Sequence, residues 1–217
     1  MDALAEFERR LPAAQRLLFY TLDSPAHIQA YLDSLPYIAE ELDRSPLRVM
    51  TDGQAHCLDG ALFAAAALRR LGFPPLILDL VPLPGKDDDH VLALYRLDGL
   101  WGAVAKSNYA GLRFREPIHR TLRELVLTYF EHYYNLEGEK TLRAYTRPLD
   151  LARFDACGWM WDEEGVKQAS RALYALKTLP LFPPEVAARL SPVDARSYAA
   201  GTVGTDFDWA FGRRSNP

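Results

Sequence analysis

One of the two cysteines, Cys57, stands at the start of an alanine-rich run, DGQAHCLDGALFAAAALRRLG, which spans residues 52–72. Alanine favours helix, so this run predicts a helix with the thiol in its first turn. The partial positive charge at a helix N-terminus lowers the pKa of a thiol and so favours the nucleophilic thiolate. Cysteine is also a common small residue inside apolar helices, so the position alone leaves both interpretations open.

A nucleophilic thiol needs a base, and His90 is the candidate that the sequence favours. His90 lies between an acidic loop and the apolar stretch HVLALYRL (90–97), which predicts a strand. A strand packed on the Cys57 helix would hold its first side chain near the N-terminus of that helix. His119 is a second candidate, whereas His56 is expected to point away from the thiol and to serve as a surface or capping residue.

The base in turn needs an acceptor for its other ring nitrogen. The dipeptide Asp98–Gly99 predicts a hairpin turn, so the strand LWGAVAKS (100–107) should return beside His90. This return brings the end of the second strand towards the imidazole. We therefore predict Asn108, or less favourably Ser107, as the residue that orients the base.

The order of these features resembles the transglutaminase-like fold of the papain-like cysteine superfamily. The segments that carry the resemblance are GQAHCLDGALFAAAALRRLGFPPLIL, DDDHVLALYRLDGLWGAVAKS and NY, which cover roughly residues 50–110. The resemblance implies an α+β core in which Cys57 is the nucleophile and His90 its base. Family members have an Asp at the end of the third strand, where this chain has AVAKSN; Asn takes that role in the papain branch.

The resemblance implies a hydrolase or acyltransferase that attacks an amide-type carbonyl through an acyl-enzyme, without a cofactor. The alternative is a catalytically inactive domain of the same fold that binds a ligand or a protein. Substrate is expected to be a peptide, an amide or a small molecule. The predicted substrate-binding residues, with Gln54 offered as an oxyanion donor, are Gln54, Trp101, Lys106, Tyr109 and Arg113.

The acidic run Lys86–His90 raises the question of a metal site. Asp87, Asp88 and Asp89 lack the glycine and the spaced ligands of a calcium loop, so a solvated acidic loop is the better interpretation. A zinc site that adds Cys57 is conceivable, but no paired-cysteine spacing supports it. We therefore predict no metal.

The overall composition limits the function classes. A net charge of −4 and a pI of about 5.8, without a basic run, argue against nucleic-acid binding. The longest apolar stretch, ALFAAAAL, is far too short to span a membrane, and no secretory signal is visible. We expect a cytoplasmic protein with a reduced Cys57 and a structural Cys157, and the sequence leaves its oligomeric state open.

The chain is expected to form a single domain over residues 1–217. The predicted parts are an N-terminal helical addition (1–49), a transglutaminase-like core (50–135) and a C-terminal addition of helices and loops (136–217). Two further helices are marked by their N-caps. Thr121 with Glu124 forms a capping box, and Asp162 precedes a second amphipathic run.

Overall fold

The structure is a computed structural model that describes residues 2–213, an α+β fold around one antiparallel sheet of seven strands. Helices and strands are interleaved along the chain. The helices are α1 (Ala3–Arg10), α2 (Ala13–Thr21), α3 (Pro25–Ser34), α4 (Pro46–Asp52), α5 (Cys57–Arg70), α6 (Leu122–Phe130), α7 (Glu163–Tyr174), α8 (Pro184–Ala187) and α9 (Ala195–Gly201). The strands are β1 (Leu76–Pro82), β2 (His90–Leu97), β3 (Leu100–Val104), β4 (Arg115–His119), β5 (Leu142–Thr146), β6 (Leu149–Asp150) and β7 (Thr178–Pro180).

Helix α5 is the central element, and its sequence explains why. Residues 61–68 are all apolar and fully buried on every side, because α1, α3 and α4 cover one side while the sheet covers the other. Asp59 supplies negative charge to the first turn, and Arg69 and Arg70 supply positive charge to the last, which complements the helix dipole. Gly72, with φ of +89°, then ends the helix.

A close approach at Gly60 fixes how α5 lies against the end of β3. A Cβ at this position would lie only 2.3 Å from the Cβ of Lys106. Glycine therefore allows the backbone of the first helical turn to contact the chain directly after β3. This contact holds the N-terminus of α5, with Cys57, beside the ends of the sheet strands.

The sheet has the strand order β4-β3-β2-β1-β5-β7, and β6 also pairs with β1. The hairpin predicted at Asp98–Gly99 is present and pairs Leu97 with Leu100. Strands β5, β6 and β7 come from the region predicted as helices and loops after residue 135. They lie across the sheet from the hairpin, so residues far along the chain complete the sheet that supports the site.

The two faces of the sheet pack against different layers. Ile77, Val91, Ala93 and Tyr95 belong to the core that contains α5. The alternate residues of the same strands belong to a second core beneath α6, which includes Leu78, Leu92, Leu94 and Tyr129. Both faces are thus apolar, as the nearly continuous hydrophobic sequence of β2 predicts.

The predicted fold class is confirmed: a cysteine begins a helix that packs on an antiparallel sheet, with helices added on both sides in sequence. The capping box at Thr121 and the N-cap at Asp162 are also present. Within the described part of the chain, every helix is too short or too polar to cross a membrane.

Candidate functional site

Cys57 lines a cleft of about 180 Å³ at the N-terminus of α5. The half-buried thiol donates a long hydrogen bond, 3.9 Å, to the backbone carbonyl of Asp89. Burial raises the pKa of the thiol, and the negative charge of Asp89 raises it further, although His56 opposes both effects. The thiol is therefore held in its neutral form, against the expectation from the helix N-terminus alone.

The residue that faces Cys57 is Asp89, which lies directly before His90, the first residue of β2. Side chains alternate between the faces of a strand, so Asp89 shares a face with Val91, which packs in the α5 core. His90 falls between them and points to the opposite face. The pairing of Cys57 with His90 predicted from the sequence is therefore not formed.

His90 lies instead in the core beneath α6, where its ring is 6.5 Å from that of Tyr129. Its Nε2–H donates to the carbonyl oxygen of Leu112 at 2.7 Å. Burial lowers the pKa of His90 to about 4, although the bond to Leu112 opposes the shift and the charge of Arg115 adds to it. The ring is thus a buried, neutral donor that holds the segment after β3 against the sheet.

His56 occupies the position expected of His90. It is the N-cap residue of α5, which agrees with a capping role, but it is buried rather than on the surface. Its imidazole interacts with the thiol of Cys57, so the expectation that it points away is wrong. Nε2 of His56 lies 3.0 Å from Oδ1 of Asp59 and 3.5 Å from Oδ1 of Asp43. Burial alone would lower the pKa of His56, but these contacts raise it to about 10.

The His56 contacts belong to a network of buried charges. The backbone N–H groups of Arg44 and His56 donate to the Asp59 carboxylate at 2.6 and 3.2 Å. The guanidinium of Arg44 lies 3.6 Å from the same carboxylate and also pairs with Glu40. Asp59 is fully buried, so these donors compensate for the cost of removing its charge from water.

The ligand atoms of Asp43, His56 and Asp59 lie within 4.8 Å of one another, a spacing that fits a metal ion. However, Asp59 already accepts from two backbone N–H groups and faces Arg44. The raised pKa of His56 also keeps its ring protonated, and a protonated ring has no lone pair for a metal. The donor set is therefore better described as an ion-pair network.

A second buried carboxyl group lies deeper, on β1. Asp79 is only 4% exposed, and its Oδ1 has no hydrogen-bond partner among the described residues. Oδ2 of Asp89 is also buried and has no hydrogen-bond partner within residues 2–213. Burial raises the pKa of Asp79 to about 8, and the neighbouring Asp89 adds to the shift. The side of the sheet that faces Cys57 thus carries two incompletely paired carboxyl groups.

The predicted orienting residues lie near His90 but do not bind it. His90, Ser107 and Asn108 line the same small cavity of about 30 Å³. The Ser107 hydroxyl accepts from the backbone N–H of Tyr109. The Asn108 side chain donates to the backbone carbonyl of Asp206 at 2.8 Å and accepts from its N–H at 3.0 Å. Asn108 therefore holds the C-terminal segment rather than a catalytic base.

The other predicted residues are divided among several places. Gln54 lies between α4 and α5, outside the Cys57 cleft. Trp101 pairs with His119 across β3 and β4, so it and the second candidate base lie near the edge of the sheet. The remaining three line other cavities: Tyr109 the small cavity beside His90, and Lys106 and Arg113 a larger second cleft. Their proposed roles in binding stay predictions.

The sequence analysis missed four residues of the Cys57 cleft and its surroundings: Asp43, Asp59, Asp79 and Tyr174. It also interpreted Asp89 as part of a solvated loop. The acidic residues come from separate segments, and only the fold brings them together. Strand alternation does place Asp89 on the face of Val91, but the sequence does not show which face of β2 meets α5, because both faces are apolar.

A scan against protein-family models gives no match, and no curated protein matches the sequence either. Comparison with solved structures finds LapG of Legionella pneumophila, in an EGTA-treated form and in a second structure. Each is 13% identical to this chain, with a TM-score of 0.36, and the match covers 48% of this chain and 68% of LapG. Similarity at this level does not identify a function, and membership of the transglutaminase-like family stays a prediction.

Proposed function

We propose that this chain is a binding domain whose cleft beside Cys57 takes a cationic organic group, such as an ammonium or a guanidinium. One observation carries the proposal: the carboxyl group of Asp89 lies beside the thiol, and the imidazole that contacts the thiol, His56, is held protonated by Asp43 and Asp59 and so is not available as a base. A neutral thiol is a poor nucleophile. Burial raises the pKa of Asp89, and one of its oxygens has no hydrogen-bond partner among the described residues, so a bound cation would stabilise its charged form.

The charge of the cleft supports this choice. Five acidic residues line the cleft, against one positive charge, that of the protonated His56. One of the five, Glu40, is already paired with Arg44. Tyr37 and Tyr174 form part of the wall, and aromatic rings are favourable neighbours for ammonium and guanidinium groups. The acidic residues that line the cleft are Glu40, Glu41, Asp43, Asp88 and Asp89.

The proposal is tested by titrating the full chain with hexylamine and following the NMR signals of residues around Cys57. Hexanol, which has the same chain without the charge, is the control ligand. We expect hexylamine to bind and Asp89→Asn to weaken its affinity about tenfold, because one charge-assisted contact is lost. Asp98→Asn, in the exposed hairpin turn, is the matched control and should leave the affinity unchanged.

Equal responses to hexylamine and hexanol would mean that the cleft recognises only the hydrocarbon chain, and the proposal would be wrong. Undiminished hexylamine binding by Asp89→Asn would also exclude the assigned carboxylate. The same spectra report whether each variant is folded, so a loss of binding can be separated from a loss of structure.

A second function, cysteine-nucleophile hydrolysis or acyl transfer, is favoured by the contact between His56 and Cys57. In this mechanism the thiol ionises beside the imidazolium of His56, which stabilises the thiolate and keeps a proton for the leaving group, and the sulfur attacks an amide-type carbonyl to form a thioester. The proton is passed to the departing amine. Water or another amine then releases the acyl group. Asp59 and Asp43 would orient the His56 ring.

The rate of Cys57 alkylation by iodoacetamide separates the two functions. An activated thiol would react much faster than Cys157 at neutral pH and would slow down in His56→Gln. The binding proposal predicts slow alkylation that rises only at alkaline pH, because burial and Asp89 raise the pKa of the thiol. Fast, His56-dependent alkylation would favour the catalytic function instead.

A further inference from the structure

A second cleft, of about 370 Å³, shares Tyr37 with the Cys57 cleft. Its walls are the segment after α3, the chain that follows β3, and the C-terminal segment around Val203–Asp206. Two basic side chains, Lys106 and Arg113, line it. The two clefts therefore share one aromatic residue but differ in the charge of the groups that they offer.

Lys106 is an unusual component of a cleft because it is only 4% exposed. Its ammonium donates to the carbonyl oxygen of Leu32 at 2.8 Å and to that of Leu35. An ammonium has three N–H donors, and no described residue accepts the third. Burial lowers the pKa of Lys106 to about 8, a shift that an anionic ligand would reverse.

Arg113 supplies the second positive charge. Its Nη1 lies 3.3 Å from Oδ1 of Asp33, which also accepts from Gln29 at 2.9 Å. Its Nε donates a long bond of 3.5 Å to the carbonyl of Ala110. The Nη2 group has no acceptor among the described residues. Arg113 can thus donate to a ligand without losing its contact with Asp33.

The acidic residues of the second cleft are already engaged. Asp33 pairs with Arg113, and the Asp206 carboxylate accepts from the backbone N–H of Asp208 at 3.1 Å. Lys106 and Arg113 therefore offer the cleft charged donors that no described residue accepts. An incoming carboxylate could accept from Lys106 and Arg113, which is a favourable, charge-assisted arrangement.

Tyr37 connects the two clefts, since it also lines the small cavity between them together with Asp88, Asp89, Ser107 and Asn108. A ligand that follows this surface passes from carboxylates to cations. We infer that the chain binds a small zwitterion, with its amine in the Cys57 cleft and its carboxylate at Lys106 and Arg113. The amine half of this inference rests on the proposed function, and the carboxylate half is independent of it.

The experiment compares ligands that carry one charge or both. The probes are hexylamine, hexanoate and 6-aminohexanoate, with 4-aminobutanoate and 8-aminooctanoate to vary the distance between charges. Full-chain NMR titrations give the affinities. We expect at least one of the amino acids to bind about three- to tenfold more tightly than hexylamine, because the second contact forms within a ligand that is already held.

Arg113→Gln is the decisive variant, because the side chain is half-exposed and its replacement should not prevent folding. It should abolish the advantage of the zwitterion while leaving the affinity for hexylamine unchanged. Arg147→Gln, at an exposed arginine outside both clefts, is the matched control. Added salt should reduce the affinity advantage of the zwitterion over hexylamine in the native chain. In Arg113→Gln, where this advantage is already lost, salt should not change the ratio of the two affinities.

The outcomes distinguish this inference from the proposed function. If every zwitterion binds no better than hexylamine, or if Arg113→Gln changes nothing, the carboxylate subsite is wrong and the amine site stands. If hexanoate alone binds in an Arg113-dependent way, the proposed function fails while the anion subsite survives. If no probe binds, both proposals are wrong.

Discussion

In the segment that enters β2, Asp89 and Val91 face α5, and His90 between them faces α6. This one-residue difference contributes to the state of the thiol: burial is the main cause that raises the pKa of Cys57, the charge of Asp89 adds to it, and only His56 opposes them, whereas a second imidazole in place of Asp89 would lower the pKa further. The chemistry of the cleft thus depends on which of two adjacent side chains shares the face of Val91.

The first prediction at the scale of residues concerns Asp89→His. This variant places an imidazole on the face of β2 that contacts Cys57 and removes the opposing charge. We expect iodoacetamide to alkylate Cys57 about tenfold faster at pH 7, because the thiol pKa should fall by about one unit or more. Mass spectrometry measures the rate, with Cys157 as the internal reference.

His90→Gln is the control for that experiment, since it removes the imidazole from the other face. Its Cys57 should react at the same rate as in the native chain. Slower alkylation in His90→Gln, together with an unchanged rate in Asp89→His, would mean that His90 faces Cys57 and Asp89 faces α6.

The second prediction concerns the titration of His90. Its ring should gain a proton near pH 4, the value that burial imposes, and NMR of the ring signals measures this midpoint directly. The buried ring favours its neutral form, so its contribution to stability is fully present above the ordinary pKa of His, about 6.5. This contribution is lost as the pH falls towards 4, because the unfolded chain then binds a proton more readily than the folded chain. A midpoint between pH 6 and 7 would contradict the burial of the ring.

At the scale of elements, the contact between α5 and the end of β3 positions the N-terminus of the central helix. Gly60 allows this contact because it has no Cβ, and Lys106 packs directly over it. The ammonium of Lys106 then binds the C-terminal carbonyls of α3. A single lysine therefore links α3, α5 and β3 on one side of the two clefts.

Gly60→Ala tests this link, and helix propensity makes the sign of its effect informative. Alanine in an open helical position would stabilise the protein by up to about 1 kcal/mol. Overpacking against Lys106 should instead cost about 1–3 kcal/mol, which corresponds to a fall in Tm of about 2–10 °C. Calorimetry measures the change, and a rise in Tm would show that the two segments do not touch.

The sheet shows how distant elements complete the site. Strand β1 pairs with β2 on one side and with β5 and β6 on the other, and the N–H of Asp79 donates to the Thr146 hydroxyl of β5. The buried Asp79 is therefore held between an element of the predicted core and one from the C-terminal region. Removing the C-terminal strands would expose this side of the sheet.

At the scale of the whole molecule, the buried ionisable groups make folding depend on pH. The pKa of Asp79 is raised to about 8, so its protonated form stabilises the fold at acidic pH. That contribution is lost as the pH rises from about 4 towards 8. His56, with a pKa raised to about 10, loses its stabilising positive charge between about pH 6.5 and 10. Both groups predict lower stability at alkaline pH.

Asp79→Asn separates the effect of this carboxyl group on the pH dependence of stability from the effect of His56. The amide keeps the size and an acceptor oxygen but cannot ionise, so we expect Tm to rise by about 2–6 °C at pH 8. At pH 4.5 the native carboxyl group is already protonated, and the two proteins should have similar Tm values. An equal difference at both pH values would mean that charge is not the cause.

Local sequence patterns were enough to predict the Cys57 helix, the hairpin at Asp98–Gly99 and the N-caps at Thr121 and Asp162. These depend on short-range rules of propensity, capping and turn geometry, which act on neighbouring residues. The sequence also predicted the α+β class and the approach of Ser107 and Asn108 to His90, because a two-residue hairpin fixes which positions face each other.

Which side chain at the start of β2 meets the thiol depends on long-range packing. In a strand with one exposed face, the alternation of polar and apolar residues shows which side chains face the core. Strand β2 is apolar on both faces, so its sequence does not show which side chains face α5. Its phase is set by the packing of Val91, Ala93 and Tyr95 against α5, which no local pattern records. The same holds for the acidic residues of the cleft, since the separate segments that carry them meet only through long-range packing.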